Sequence, residues 1–339
     1  MIKFGIAGCG YIGNRHAKHI SENAEAKLIA AFDLKTDRRE AMEKQYQLPA
    51  TESLEALLAN PDIDVICVCT PNGSHFSTAL AAIEAGKNVL IEKPMTLHKD
   101  DAEQLIFTSL RKNKQVFVVK QNRFNPPVQH MKGLMEKGVL GKIYFVVVNC
   151  YWNRNNDYYK KSDWKGKKNE DGGTLFTQFS HFVDIAYYLF GDIDLNSISG
   201  VIKNVCHEGL IDFEDTGAFN FKFKSGALGS LNYTTASYQQ NMEGSITVFA
   251  ENATIKIGGQ YLNTLEYQKT NGFDNFDLPE SGPANDYGFY QGSMSNHDKI
   301  IKNVVDALLG KAPIMTNAVE GMKVVEVIEH MYATAKTIS

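Results

Sequence analysis

The first third of the chain alternates between short β-rich apolar runs and amphipathic stretches. Residues 3–7, 27–33, 64–70, 88–92 and 115–120 read as strands, and 12–21, 36–47, 54–59, 75–86 and 99–112 as helices. The run 64–70 is continuously apolar, the mark of a strand covered on both faces. The helix at 75–86 ends on Gly86, as a C-cap should. Strands alternating with helices of this length predict βαβ units and a parallel sheet.

After Asn122 the pattern changes. Pro126 and Pro127 open a helix that ends near Gly138, and a long β run covers 142–153. A polar loop spans 154–171, and a helix 175–190. Segments 197–205, 217–223, 227–235, 245–250, 253–259 and 262–268 follow with turn signals between them, which predicts mostly antiparallel sheet. A loop rich in Gly, Asn and Asp (271–285) precedes two closing helices, 296–309 and 319–335. The long β runs predict a sheet with one face free to pair, and hence a homodimer or homotetramer.

The 339 residues suggest two domains, and the change of pattern sets the boundary near 120–125. Lys plus Arg is 35 and Asp plus Glu is 39, so the net charge of −4 argues against a dedicated nucleic-acid binder. No window approaches the roughly 18 apolar residues of a membrane span, and the start lacks a signal-peptide layout. The five cysteines, Cys9, Cys67, Cys69, Cys150 and Cys206, form no CxxC pair and read as buried free thiols. A reducing, cytoplasmic setting is expected.

Gly8-Cys9-Gly10-Tyr11-Ile12-Gly13 is a GxGxxG between a strand and a helix, and Asp33 lies twenty residues after Gly13 at the end of the second strand. This is the dinucleotide fingerprint. Gly8 allows the tight turn, Gly10 lets the backbone approach a pyrophosphate, Gly13 lets the helix pack close to the strand, and Asp33 takes the adenosine ribose hydroxyls. A carboxylate at that place repels a 2′-phosphate, so NAD is favoured over NADP. Arg38 and Arg39 read as a solvated helix face. The fold class is therefore α/β: a Rossmann dinucleotide-binding domain over 1–121, then an α+β domain over 122–339 with a large, mostly antiparallel open sheet.

Val68-Cys69-Thr70-Pro71-Asn72, then His75, then Glu92-Lys93-Pro94 resemble the Gfo/Idh/MocA oxidoreductase family. The second half carries the matching Gly-Gly turn and site histidine: Asp171-Gly172-Gly173-Thr174-Leu175, then Gln178, Ser180, His181 and Asp184. Many members have Asp four residues before that histidine; this chain has Thr177, so His181 must be oriented otherwise. Gln121-Asn122-Arg123-Phe124-Asn125-Pro126-Pro127, Tyr151-Trp152 with Arg154, Tyr158-Tyr159, Trp164 with Gly166, Glu214-Asp215-Thr216-Gly217 and Glu243-Gly244-Ser245-Ile246 resemble one branch, the bacterial dehydrogenases that oxidise C3 of a UDP-linked N-acetylglucosaminuronic acid for surface polysaccharide. The resemblance implies cofactor contacts from Gly8, Gly10, Tyr11, Ile12, Gly13, Asp33, Thr70, Pro71, Asn72, His75, Glu92, Lys93 and Gln121. It implies substrate contacts from Arg123, Arg154, Tyr158, Trp164, Gln178 and His181. Some relatives reoxidise NADH in place with 2-oxoglutarate.

Oxidising a secondary alcohol with NAD needs a base for the hydroxyl proton and a cation for the developing alkoxide. Lys93 closes a sheet strand at its C-terminal end, where ligands of open α/β sheets sit, and His181 titrates near operating pH. These two are the candidate catalytic residues, and either can be the base. Arg123 and Arg154 suit a carboxylate, which a guanidinium grips with two hydrogen bonds. Five lysines within 160–168 read as a solvated loop or as a field for an anionic substrate. His75 is expected to pack near the cofactor, His297 to line the pocket or be structural, and no role is read for His16 or His207. No metal is called for. Two other readings are a dehydrogenase of a free cyclitol or aldose, and a noncatalytic dinucleotide sensor.

Overall fold

The structure is a computed structural model that describes residues 1–272, 277–286, 288 and 290–338; positions 273–276 of the expected 271–285 loop lie outside the described residues. The chain divides into two compact units, Met1–Lys120 with His297–Glu326, and Gln121–Asn296 with Val327–Ser339.

In chain order the first unit opens with β1 (Ile2–Ala7), α1 (Tyr11–Ser21), β2 (Ala26–Phe32), α2 (Thr36–Tyr46), β3 (Ala50–Thr51), α3 (Leu54–Ala59) and β4 (Val65–Val68). It continues with α4 (His75–Glu84), β5 (Asn88–Ile91), α5 (Lys99–Lys112) and β6 (Val116–Val118). The six strands form a parallel sheet in the order β3-β2-β1-β4-β5-β6. Every residue of β4 is buried, as its unbroken apolar run requires. The order reverses between β1 and β4, which places a crevice at the ends of those strands, where ligands of such sheets bind.

The second unit holds α6 (Pro126–Glu136), β7 (Ile143–Tyr151), α7 (Asn156–Lys160), α8 (Lys168–Asp171), a π-helical turn at Leu175–Phe179, and α9 (Ser180–Phe190). Strands β8 (Ile193–Lys203), β9 (Thr216–Phe223), β10 (Leu228–Thr234), β11 (Glu243–Ala250), β12 (Ala253–Gly258), β13 (Thr264–Thr270), β14 (Ala284–Asp286) and β15 (Gln291–Met294) follow. The chain closes with α10 (His297–Leu308), α11 (Ala318–Thr334) and β16 (Lys336–Thr337). The large sheet runs β13-β12-β11-β7-β10-β9-β8-β16 and is antiparallel except at β7/β10 and β8/β16. One face is buried under aromatic contacts from α9: Phe182 meets Trp152 edge to face at 5.6 Å, and Phe190 meets Phe223 at 5.6 Å. The other face carries exposed apolar side chains in register, Phe249 beside Phe145 beside Leu228.

Three expectations need correction. The closing region does not follow the second unit as a block, because residues 297–326 belong to the first. There α10 buries His297, Ile300, Ile301, Val304 and Val305, and Asn317 bridges to Phe117 at the edge of β6. Periodicity reveals an apolar face but not its partner. The 154–171 loop contains α7, capped by Asn155, whose side-chain oxygen accepts the Tyr158 N–H at 3.0 Å, and α8. Finally, Cys206 is exposed, whereas the other four thiols are buried. No helix among the described residues is long and apolar enough to cross a membrane.

Candidate active site

The first unit builds its ligand crevice from backbone. Gly8 has φ +102, and a side chain there would run into the Cys69 carbonyl. A Cβ on Gly13 would overlap the Gly8 carbonyl oxygen, so glycine is what lets α1 lie against β1. At Gly10 the space is open, with only Arg38 nearby at 3.6 Å. Gly10 caps α1 without a side-chain hydrogen bond, and the first turn holds no acid, so the positive end of the helix dipole there suits an anion. Tyr11 is exposed and Ile12 half-buried at that turn. The residues present therefore fit a dinucleotide pyrophosphate.

Asp33 directly follows β2 and is buried; its Oδ2 accepts the Cys9 N–H at 2.7 Å and its Oδ1 the Lys35 N–H at 2.8 Å. These bonds aim the carboxylate from the end of the strand towards the glycine turn and leave lone pairs for ribose hydroxyls. Arg38 is not simply on a solvated face: its Nη1 lies 3.8 Å from Asp33 Oδ2. Arg39 donates to the Asp33 carbonyl at 2.7 Å.

Thr70, Pro71 and Asn72 form the turn after β4, and the Thr70 hydroxyl is buried with no partner. His75, at the start of α4, sits with Nδ1 at 2.6 Å from the Pro94 carbonyl and Nε2 at 3.0 Å from the Thr70 carbonyl. Burial lowers its pKa although both carbonyls would favour the charged ring. It thus ties the turn after β4 to the turn that carries Lys93. Lys93 is half-buried.

Glu92 is the centre of a group that sequence reasoning missed. His16 Nε2 lies 2.8 Å from Glu92 Oε1 and His297 Nε2 3.5 Å from the same oxygen, while Glu92 Oε2 accepts the Lys93 N–H at 3.2 Å. Burial opposes ionisation of Glu92, but the two imidazoles outweigh it and hold the carboxyl well below its ordinary range. Burial in turn lowers His297 to about 4. Glu92 is therefore a buried anchor for the turn of Lys93 rather than a group open to the cofactor. His16 was visible in one respect: it shares the buried face of α1 with Gly13, Ala17 and Ile20.

In the second unit Gln121 is buried, and its main-chain carbonyl accepts from the Asn296 side chain at 3.2 Å. Arg123 is fully buried, with Nε and Nη2 on the two carboxylate oxygens of Asp184 at 2.9 and 2.7 Å. That overturns its expected place on a substrate carboxylate. Both partners sit out of solvent, and the two-pronged pair already satisfies the charge.

Arg154 is the better placed cation. Its Nε donates to Gln178 Oε1 at 2.8 Å and Nη1 to the Asn153 carbonyl at 2.6 Å. The guanidinium lies about equally far from the rings of Trp152 (5.1 Å), Tyr158 (5.2 Å) and Tyr290 (5.1 Å). Gln178 also donates to the Tyr158 hydroxyl at 2.6 Å. The structure thus brings Arg154, Tyr158 and Gln178 together and adds Trp152, Tyr290 and Lys165. Lys165 Nζ stands 3.9 Å from the Tyr158 ring centre and 5.9 Å from that of Trp164. Trp164 is half-buried, one step outside the Arg154 box. Of the other loop lysines, Lys161 pairs with Asp157 in solvent.

His181 is buried on the first turn of α9. Thr177, in the place of the missing acid, bonds instead to Asp171, whose Oδ2 accepts the Gly166 N–H at 2.7 Å. The Gly-Gly turn before the histidine rests on Tyr332: its hydroxyl accepts the Leu175 N–H at 3.0 Å and donates to Glu214 at 2.8 Å. Gly173, at φ +120, leaves the room that Tyr332 fills. Glu214 also accepts from Tyr233 at 3.0 Å, and burial pushes its carboxyl up to about 7.

Comparison with known proteins agrees with this geometry. Residues 2–120 match the oxidoreductase family's NAD-binding Rossmann fold, and residues 128–256 match the GFO/IDH/MocA C-terminal domain. The structure of the WlbA dehydrogenase from Bordetella pertussis, in complex with NADH and UDP-GlcNAcA, is 30% identical with a TM-score of 0.87, covering 98% of this chain and 96% of that one. The corresponding WlbA complex from Chromobacterium violaceum is 31% identical with a TM-score of 0.87, covering 98% and 93%. The myo-inositol 2-dehydrogenase of Thermotoga maritima is 28% identical over 272 residues, 74% of this chain and 75% of that protein. With the glycine turn and the Asp33 carboxylate in the first unit, and the Gly-Gly turn, histidine and mixed sheet in the second, the chain belongs to the Gfo/Idh/MocA family of NAD-binding oxidoreductases.

Proposed function

We propose that this protein oxidises the C3 hydroxyl of a UDP-linked N-acetylglucosaminuronic acid to the 3-keto sugar, as a step towards surface polysaccharide. The observation that carries the reading is the likeness, across 98% of the chain, to two WlbA dehydrogenases in complex with NADH and UDP-GlcNAcA. The cationic and aromatic group around Arg154 supports it, since a guanidinium and a neighbouring ammonium suit a ligand with a carboxylate and a diphosphate.

Bound NAD+ supplies the hydride acceptor. His181 takes the hydroxyl proton, and Lys93 stabilises the alkoxide as a point charge. Asp33 holds the adenosine ribose, and Arg154 with Gln178 and Tyr158 binds the substrate. Two or four copies associate through the open sheet face marked by Phe145, Leu228 and Phe249; Phe145→Glu with Phe249→Glu should then give monomers in light scattering.

The test is NADH formation with a panel of UDP-sugars. UDP-N-acetylglucosaminuronate should be the preferred substrate, and free UDP should compete. Arg154→Ala should raise KM for the uronate more than for UDP-N-acetylglucosamine, by the roughly 1.5–3 kcal/mol of a hydrogen bond between charged groups. A free inositol or sugar oxidised faster than any UDP-uronate, with no competition by UDP, would overturn the substrate while leaving the dehydrogenase.

A further inference from the structure

Cys206, His207 and Asp215 stand outside the machinery described above. Cys206 Sγ lies 3.1 Å from His207 Nδ1 and 3.2 Å from Asp215 Oδ2, and the last two atoms are 2.9 Å apart. A sulfur, a nitrogen and an oxygen donor thus converge, within bonding reach of one ion. From this geometry we infer a binding site for a zinc-class divalent cation.

The orientation of the histidine carries the argument. His207 Nε2 faces the Arg154 carbonyl at 2.7 Å. A carbonyl only accepts, so Nε2 bears a hydrogen and donates it. In the neutral ring Nδ1 is then a lone pair, and it points at a carboxylate. Two lone pairs at that distance need a positive charge between them. A second ring proton is one way to supply it; a cation held by Nδ1, Oδ2 and Sγ is the other. Histidines that ligate metals are oriented by giving their other N–H to a carbonyl or carboxylate, as His207 does.

The remaining donors are also prepared. Asp215 is fully buried, and its carboxylate accepts the N–H groups of Val205 and Cys206, each at 2.9 Å. Cys206 is exposed, which leaves an entry path for the ion. Thiolate with imidazole and carboxylate favours zinc over magnesium or calcium, which prefer all-oxygen sets. Among the described residues the other three-donor group, His16 with Glu92 and His297, is wholly buried and lacks such a path. A bound cation would fasten the chain at 206–207 to Asp215 and fix the His207 ring whose Nε2–H holds the Arg154 carbonyl, and so steady the segment that presents that guanidinium.

The experiment uses the full-length, untagged protein, stripped with a chelator and titrated with Zn2+ by calorimetry and with Co2+ by absorbance. One ion per chain should bind at micromolar concentration or below, and Co2+ should show a thiolate charge-transfer band. Cys206→Ser, at an exposed position, should keep the fold, lose the band and weaken Zn2+ by at least the roughly 10–100-fold that loss of an outer partner costs. His207→Asn should weaken Zn2+ likewise. No binding, no thiolate band, or equal Zn2+ binding by Cys206→Ser would each overturn the site.

Discussion

The Arg123 guanidinium meets the Asp184 carboxylate through two hydrogen bonds, at 2.9 and 2.7 Å, with neither side chain open to solvent. The pair joins the 3-10 turn at Gln121–Phe124 to α9, the helix that carries His181. Removing one charge strands the other in the interior. Arg123→Met should therefore cost about 3–5 kcal/mol in urea unfolding, and Arg123→Met with Asp184→Leu should recover much of it. A variant that kept its stability and lost only substrate affinity would return Arg123 to the substrate.

Asp33 should set the cofactor preference. Asp33→Ala removes the ribose acceptor but leaves Arg38 in place to meet a 2′-phosphate. NAD should weaken by about tenfold or more, a difference of about 1.4 kcal/mol, while NADP holds or tightens. Cofactor fluorescence titrations check this, and an equal loss for both cofactors would count against it.

Lys93→Ala and His181→Ala should each lower kcat by at least about 10²-fold while NAD still binds. Single-turnover NADH formation separates this from slow product release. Near-normal turnover in either variant removes that residue from the chemistry.

Glu214 makes stability depend on pH. Burial raises its folded pKa to about 7 from an ordinary 4.5. Between those values the folded protein holds a proton that the unfolded chain has lost, so stability falls as pH rises through the window and levels off above it. At about 1.4 kcal/mol per unit, the full effect is about 3 kcal/mol. Glu214→Gln should flatten the decline between about pH 4.5 and 7 by that order, and unchanged pH dependence would show that Glu214 is not its source.

Local signals were legible in the sequence. The helices at Leu54–Ala59 and Lys99–Lys112 begin and end where periodicity placed them, and Gly8 and Gly13 meet the steric demands read from their spacing. The start of the helix at 175 was read only in part, because a π turn and an α-helix bury similar positions over so few residues.

The sequence by itself determined the strand and helix order, the dinucleotide turn with Asp33, and the family, because these depend on residues close along the chain and on which face each element buries. The tertiary structure decided what each buried face and charge meets. It took Arg123 for Asp184, gathered His16 and His297 onto Glu92, put residues 297–326 with the first unit, and set Cys206 and His207 against Asp215. Hydrophobic periodicity reports that a face is covered, and a charge needs a partner once buried, but neither names the partner. That choice belongs to packing and to hydrogen bonds between residues far apart in the chain.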